Sequence, residues 1–312
     1  MAVEDFQNPL TAARDLDDRH QLVALFPDLE TGQAAPFLAL RSYLHRCPER
    51  FFDRTVQLLM LGWLRNRDNR QRAELKQYFV DASAELSAAM LFLRQVNSEE
   101  WHDRALIRGD DYEVVRFIDT VLHPAYLRLS EGVLAALIRP VAHFARLDRG
   151  KSVEGMDVFN LVQELAGGPM SPCVEAYNHT VRNGIGHGGI AYLQSDIRYR
   201  DKKVNAEVLD VWSAVRLCDD MVDTCNALAC AIKLFLIVRG SVGYQLPHEL
   251  LIEELMEETR SPWWTITGCI KSELPNASQL LLYARPESRD TLKNPVGIAS
   301  VSGIGRGVGS RL

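Results

Sequence analysis

The sequence lacks the features that mark secreted, membrane-spanning or metal-binding proteins. It begins with Met1 and an acidic segment that has no apolar stretch, so we expect no secretory signal. The longest apolar run covers residues 227–238 and contains Lys233, which is too short for a membrane span and is typical of a buried helix. The six cysteines form no C-x-x-C pair, which favours free thiols over a zinc site. We therefore expect a cytoplasmic protein with no membrane segment, no metal and no cofactor.

Basic charge is also limited. The net charge is −6, and only seven of the 35 basic residues are lysine. This balance argues against a protein that coats nucleic acid, because neutralising a phosphate backbone needs a basic surface, but it leaves room for a small basic cleft. Arg65, Arg67, Arg70 and Arg72 form one basic run, which either touches RNA phosphates or is a solvated charge run.

Common catalytic motifs are missing as well. The chain contains no Walker loop, no H-E-x-x-H, no G-x-S-x-G and no paired carboxylates of the kind that hold a metal. The glycine-rich residues 303–312 lack the strand and the helix that flank a phosphate loop, and we expect a flexible tail there. One polar segment, residues 179–189, concentrates the chemistry that the rest of the chain lacks.

Arg182, Asn183 and His187 bring an anion-binding group and a proton-transfer group together in that segment. Arginine offers a permanently charged, planar donor fork, and histidine exchanges a proton near neutral pH. Asn183 and His187 are four residues apart and share one helix face. Gly184 and Gly186 would each weaken a helix interior by about 1 kcal/mol, so we expect the helix to end between residues 186 and 189, with His187 at its boundary. Such a grouping suits RNA cleavage in which the ribose 2′-OH attacks the neighbouring phosphorus.

The run Arg182-Asn183-x-x-x-His187 resembles the R-N-x-x-x-H signature of HEPN domains, helical modules found in many RNases, toxins and phage-defence proteins. The apolar Val181 and Ile185 and the glycine after the histidine match the usual flanks of that motif. The resemblance covers roughly residues 115–239. It implies a metal-independent endoribonuclease in which Arg182, Asn183 and His187 are the catalytic residues.

The resemblance also implies an assembly and partners. In this family two subunits bring their motifs together across a helical interface, so we expect a homodimer through the helical domain with RNA as the substrate. His187 would act as general base or acid, Arg182 would stabilise the charged phosphorane-like state, and Asn183 would orient the pair or hold a phosphate. One histidine and one arginine per chain make a poor acid–base pair, whereas two copies supply both roles. DNA is not an expected substrate, because it lacks the 2′-OH.

Further residues near the motif have two interpretations each. His179 lies one turn before Asn183 and is either a supporting partner of the motif or a surface histidine. Asp219 and Asp223, in the next predicted helix, are either solvated or orient the histidine, as acidic residues of neighbouring helices do in some HEPN proteins. The aromatic residues of the region, Tyr177 and Tyr199, are more typical of core or hairpin packing than of base stacking.

A second interpretation of the whole chain keeps the motif as a structural feature. In that case the protein is a non-catalytic helical module that binds a partner protein or RNA. The acidic net charge and the first 110 residues, which carry no comparable resemblance, leave this alternative open. The two interpretations differ in whether Arg182 and His187 reach a solvent-open cleft or are satisfied internally.

The apolar periodicity predicts a mainly α fold. We expect a HEPN-like helical bundle over residues 113–240, an N-terminal helical region over 1–112 and a small α/β appendage over 241–312. Pro124 is expected to start a helix and Pro140 to kink it. The individual helices are predicted at residues 75–93, 114–146, 153–165, 171–185, 204–238 and 249–258, and strands at 190–193, 197–200, 263–267 and 279–284.

Overall fold

Helices dominate the computed structural model, which describes residues 9–25, 51–99, 110–193, 196–203, 205–239, 264–274 and 277–286, together with residues 243, 244, 247, 248, 250 and 252. Helices account for 72% of the interpretable residues, and the rest of the regular structure is a small amount of sheet. The predicted mainly α class is therefore confirmed. The helices are α1 (Pro9–Leu25), α2 (Arg54–Asp81), α3 (Ser83–Ser98), α4 (Asp111–Leu147), α5 (Val158–Leu165), α6 (His179–Gly186) and α7 (Val211–Arg239).

The chain divides into two compact units. One comprises residues 47–232, and the other comprises residues 1–46 together with 233–312. The first unit contains α2 to α6, a three-stranded sheet and most of α7. Helices α2 and α3 thus share a unit with the polar motif, whereas the three ranges inferred from the sequence, 1–112, 113–240 and 241–312, stay a prediction.

Helix α4 is longer than predicted and contains two π-helical turns, Ile118–Leu122 and Leu129–Leu134. The prediction that Pro124 starts a helix is wrong, because the helix already begins at Asp111. Proline lacks the backbone N–H and its ring crowds the carbonyl four residues earlier, and the π turn that ends at Leu122 widens the helix next to it.

The predicted helix over residues 75–93 is two helices that share one apolar face. Helix α2 ends at Asp81 and α3 begins at Ser83, with Ala82 between them. The repeat of buried side chains nevertheless continues from Phe79 to Leu86. The backbone of Ala82 stays near the helical region, with φ −84° and ψ 0°. The break therefore does not change the spacing of the apolar residues, and this spacing does not reveal it.

The motif helix is shorter than predicted. Instead of one helix over residues 171–185, a 3-10 turn covers Ser171–Val174 and α6 starts only at His179. Asn178 is the N-cap of α6, since its Oδ1 accepts a hydrogen bond of 3.0 Å from the Val181 N–H. Its own N–H donates to the Tyr126 hydroxyl at 2.7 Å, which fixes the first residue of the helix against α4.

Three antiparallel strands follow α6 in the order β1 (Ile190–Leu193), β2 (Asp196–Arg200) and β3 (Ala206–Asp210). The predicted hairpin of β1 and β2 is confirmed. The predicted helix start at residue 204 is wrong, because Ala206–Asp210 forms β3 and the helix begins at Val211. Asp210 sets that start by accepting hydrogen bonds of 3.0 Å from the Trp212 and Ser213 N–H groups.

Helix α7 is apolar and mostly buried. Cys218, Cys225 and Cys230 lie on it as buried cysteines outside any disulfide, and Cys173 is a fourth. In the part of the chain that the structure describes, α4 and α7 are long and apolar enough to cross a membrane, but 67% and 89% of their most apolar windows are buried inside the protein. Such burial is typical of core helices in a soluble protein.

The second unit contains α1, the end of α7 and a two-stranded hairpin. Strands β4 (Trp264–Leu274) and β5 (Ala277–Pro286) pair antiparallel, with an irregularity between Ile266 and Gly268. Strands were predicted within both segments, and this is confirmed. The predicted tail over residues 303–312 and most of the predicted helix over 249–258 lie outside the described residues.

Candidate functional site

The candidate site lies on α6 and at its C-terminal end. His187 is the C-cap residue of α6, and its N–H donates to the Asn183 carbonyl oxygen at 3.0 Å. Gly188 follows with a φ of +68°, and the Gly189 N–H reaches back to the Gly184 carbonyl oxygen at 2.7 Å. This is a Schellman turn, in which a left-handed glycine ends the helix. The predicted helix end between residues 186 and 189 is confirmed.

Two glycines bring this helix end unusually close to strand β2. A Cβ atom on Gly189 would lie 2.1 Å from the Arg200 carbonyl oxygen, and one on Gly184 would lie 3.0 Å from the Tyr199 Cβ. The Arg200 N–H also donates to the Gly189 carbonyl oxygen at 2.8 Å. Gly189 therefore needs glycine for space and Gly184 leaves little room for a larger residue, and the approach fixes where the helix presents His187.

Arg182 is held by two acceptors. Its Nη1 donates to Asn183 Oδ1 at 2.7 Å, and its Nη2 donates to Oε1 of Glu131 in an ion pair. The third donor, Nε, is buried without a hydrogen-bond partner. The side chain is 24% exposed, so the guanidinium is partly buried, and each of its terminal nitrogens has one acceptor.

Asn183 links Arg182 to His179. An arginine has no acceptor, so the amide oxygen faces it and the amide nitrogen faces His179 Nε2, at 2.9 Å. Nε2 must then accept, which places the proton of a neutral imidazole on Nδ1. Of the two interpretations of His179, the structure supports the partner of the motif, because the ring is half-buried and joined to Asn183.

Aromatic rings enclose His179. The centroid of the Phe159 ring lies 4.4 Å from that of His179, and the centroid of Tyr177, two residues before the start of α6, lies 6.4 Å away. Burial raises the pKa of Tyr177 to about 12, despite the opposing effect of Arg182. Tyr177 and Tyr199 are both buried, as predicted for packing residues, whereas Phe159 is 36% exposed.

His187 differs from the other motif residues because its side chain is exposed. Within the described part of the chain, its imidazole forms no hydrogen bond and no ion pair. The structure thus joins Arg182, Asn183 and His179 in one network and places His187 one turn further on, open to solvent.

Asp219 and Asp223 have a different environment. The Asp53 N–H donates to the backbone oxygen of Asp223 at 3.3 Å, which places Asp223 beside the start of α2. Burial, together with Asp220, Asp219 and Asp53, raises the pKa of Asp223 to about 7. Neither aspartate is simply solvated, since each has one carboxylate oxygen that is buried from solvent.

The basic run lies within α2, and two of its arginines form ion pairs, the buried Arg67 and the exposed Arg72. Arg67 is buried, donates to both oxygens of Asp148 at 2.8 and 3.0 Å, and lies 4.2 Å over the Phe144 ring. Arg72 donates to the buried Asp68 at 2.9 Å. Neither alternative made from the sequence, an RNA contact or a solvated run, describes Arg67.

Sequence reasoning missed Glu131 and Phe159 as neighbours of the motif. Glu131 is 51 residues from Arg182 and lies in a π-helical turn, so no local spacing relates the two. Phe159 fits the apolar face of α5, and only its position against His179 distinguishes it from a packing residue.

Comparison with known proteins adds no relative. No protein-family model, curated protein or solved structure matches this chain. Among the residues that the structure describes, no three histidine, cysteine, aspartate or glutamate side chains are placed to hold a metal ion together.

Proposed function

We propose that this chain is a metal-independent endoribonuclease of HEPN type, active in the cytoplasm as a homodimer and serving as a toxin or phage-defence effector. The observation that carries the proposal is the grouping of the Arg182 guanidinium, the Asn183 amide and the exposed His187 imidazole within one turn and its end. A cation that can meet phosphate charge next to a free proton-transfer group is what RNA cleavage by the ribose 2′-OH requires.

In the proposed reaction the ribose 2′-OH gives its proton to His187 while its oxygen attacks the adjacent phosphorus. The leaving 5′-oxygen takes a proton from the partner subunit's His187, and the product is a 2′,3′-cyclic phosphate. Arg182 stabilises the charge that builds on the phosphoryl oxygens. The 2′-OH is tethered next to the phosphorus, which removes much of the entropic barrier to attack.

Incubation of total RNA in EDTA tests the activity directly. The wild type is expected to cut, and a His187→Ala variant is expected to be slower by about 10²–10⁴, the usual contribution of a positioned acid or base. Cleavage that disappears in EDTA, or that persists unchanged in the variant, would contradict the proposal. Sedimentation tests the assembly, since a monomer at micromolar concentration with and without RNA argues against a shared site.

One observation favours the second candidate, a non-catalytic helical module that binds a protein or RNA partner. Arg182 is already satisfied by Glu131 and Asn183, as a purely structural arginine would be. For such a module the wild type would cut no RNA, and Arg182→Ala would lower the free energy of unfolding without any catalytic effect. The EDTA assay and a denaturation curve together separate the two candidates.

A further inference from the structure

Glu131 accepts a hydrogen bond from Arg182 Nη2, a nitrogen that a bound anion would also use. The carboxylate is 43% exposed and accepts from Nη2, while Asn183 accepts from Nη1 and Nε is buried. A guanidinium binds a phosphate bidentately through two adjacent donors. Each such pair includes either Nη2 or the buried Nε. Glu131 already takes one N–H of Nη2, so a phosphate must share that nitrogen with the carboxylate or displace it.

We propose that Glu131 masks Arg182, so that an RNA phosphate engages the guanidinium by competing with the carboxylate and displacing it. This inference rests on the proposed function, because it concerns how that site admits its substrate. Both groups are partly exposed, and exposed ion pairs are weak, so the carboxylate competes with a phosphate without excluding it.

The backbone that carries Glu131 suits a reversible mask. Glu131 lies in the π-helical turn Leu129–Leu134, within a helix that is otherwise largely α-helical. A π turn holds one residue more than an α turn, and such turns occur frequently at functional sites. Return of this turn to α-helical geometry would rotate Glu131 by about 100° around the helix axis, away from Arg182.

A binding measurement with a matched control tests the mask. The probe is a fluorescent single-stranded oligoribonucleotide with 2′-O-methyl groups, which cannot be cut by its own 2′-oxygen. The variants are Glu131→Gln and Glu85→Gln. Glu85 pairs with Arg139 at 2.9 Å with side-chain exposures of 43% and 28%, close to the 43% and 24% of Glu131 and Arg182. Both variants remove one negative charge and one exposed ion pair.

Glu131→Gln is expected to bind the probe about two- to fivefold more tightly than the wild type, the range that loss of one competing exposed pair allows. Glu85→Gln is expected to bind as the wild type does, and the gain should vanish in Glu131→Gln/Arg182→Ala. The mask is overturned if Glu131→Gln binds no more tightly than Glu85→Gln, including no measurable binding, or if the gain persists without Arg182.

Cleavage of unmodified RNA, measured alongside, separates this inference from the proposed function. Cleavage by the wild type with no gain in binding by Glu131→Gln overturns the mask and leaves the nuclease. A gain in binding with no cleavage by any variant supports the mask on an anion-binding site and contradicts the nuclease.

Discussion

His123 and Tyr199 are joined in the core by a hydrogen bond of 2.8 Å between the imidazole Nε2 and the phenol hydroxyl. His123 comes from α4 and Tyr199 from β2, and both side chains are buried. Tyr199 is also the residue against which Gly184 of the motif helix packs. The pair therefore fixes the strand that supports the candidate site.

The Tyr199→Phe variant should lower the free energy of unfolding by about 1–3 kcal/mol, because the buried Nε2 loses its partner and water cannot replace it. Urea denaturation at pH 7.5 measures the change. Tyr112→Phe is the control, since Tyr112 is 72% exposed and should lose almost nothing. Equal loss in both variants would contradict a special role for the His123–Tyr199 pair.

Burial lowers the pKa of His123 to about 4, although Asp119 opposes the shift. Between about pH 6.5 and pH 4 the unfolded chain thus binds a proton that the folded protein does not, so stability is lost as the pH falls through this range. The loss from this group reaches up to about 3 kcal/mol by pH 4. In urea titrations at several pH values, His123→Gln should lose less stability than the wild type between pH 7 and pH 4.5. Parallel curves for the two proteins would show that His123 titrates normally.

Asp223 has the opposite effect on the pH dependence of stability. Its pKa is raised to about 7, so between about pH 4 and pH 7 the folded protein binds a proton that the unfolded chain has lost, and stability falls as the pH rises. Asp223→Asn should therefore be more stable than the wild type at pH 8, by about 1 kcal/mol once solvent screening of this half-buried group is allowed for. The advantage should vanish near pH 4. Glu74→Gln, an exposed control on α2, should show no such crossover.

The Gly189→Ala variant should lose about 2 kcal/mol or more of stability, because its Cβ would meet the Arg200 carbonyl oxygen at 2.1 Å and the backbone must shift. Gly150→Ala is the control. Gly150 has a φ of +64° and open space around it, so that variant measures only the cost of a left-handed backbone, about 1–2 kcal/mol. Thermal melts of both variants give the comparison, and a smaller loss in Gly189→Ala would contradict the close approach.

Arg182→Lys should keep the fold and lose RNA cleavage by roughly tenfold or more, because an ammonium is a point charge and cannot reproduce the planar fork. The cleavage rate of a labelled single-stranded RNA in EDTA measures this, with a circular dichroism spectrum as the check on folding. A matching RNA with one 2′-deoxy substitution at the cut site should resist cleavage there. Cleavage at the deoxy position would show that another nucleophile attacks.

Sequence patterns correctly predicted the structural features that depend on residues close together in the chain. They gave the helical class, the β1–β2 hairpin and the end of the motif helix, because glycine and alternation act within a few residues. They failed at Ala82, whose backbone is nearly helical, and at β3, whose Val208 fits a helical stripe and lies exposed on a strand instead. In each case tertiary packing decides between two structures that the same spacing allows.

In the candidate site, too, some residues follow from local spacing and others only from tertiary packing. Arg182, Asn183 and His187 are close in the chain, so their spacing alone placed them at one helix end. Glu131 and Phe159 reach the motif only through the packing of α4 and α5 against α6, and no pattern in the sequence relates them to it. The environment of Asp223 likewise depends on Asp53 at the start of another helix.

The close contact of Gly184 and Gly189 with β2 is a packing constraint, and it is separate from any constraint on the polar residues of the motif. The glycines hold the helix end against the strand, whereas Arg182 and His187 carry charge and protons but no comparable packing. In a set of diverged sequences the two pairs should therefore vary independently. Inactive descendants are expected to replace the arginine and the histidine while keeping both glycines, so the glycine spacing marks ancestry and the polar residues mark activity.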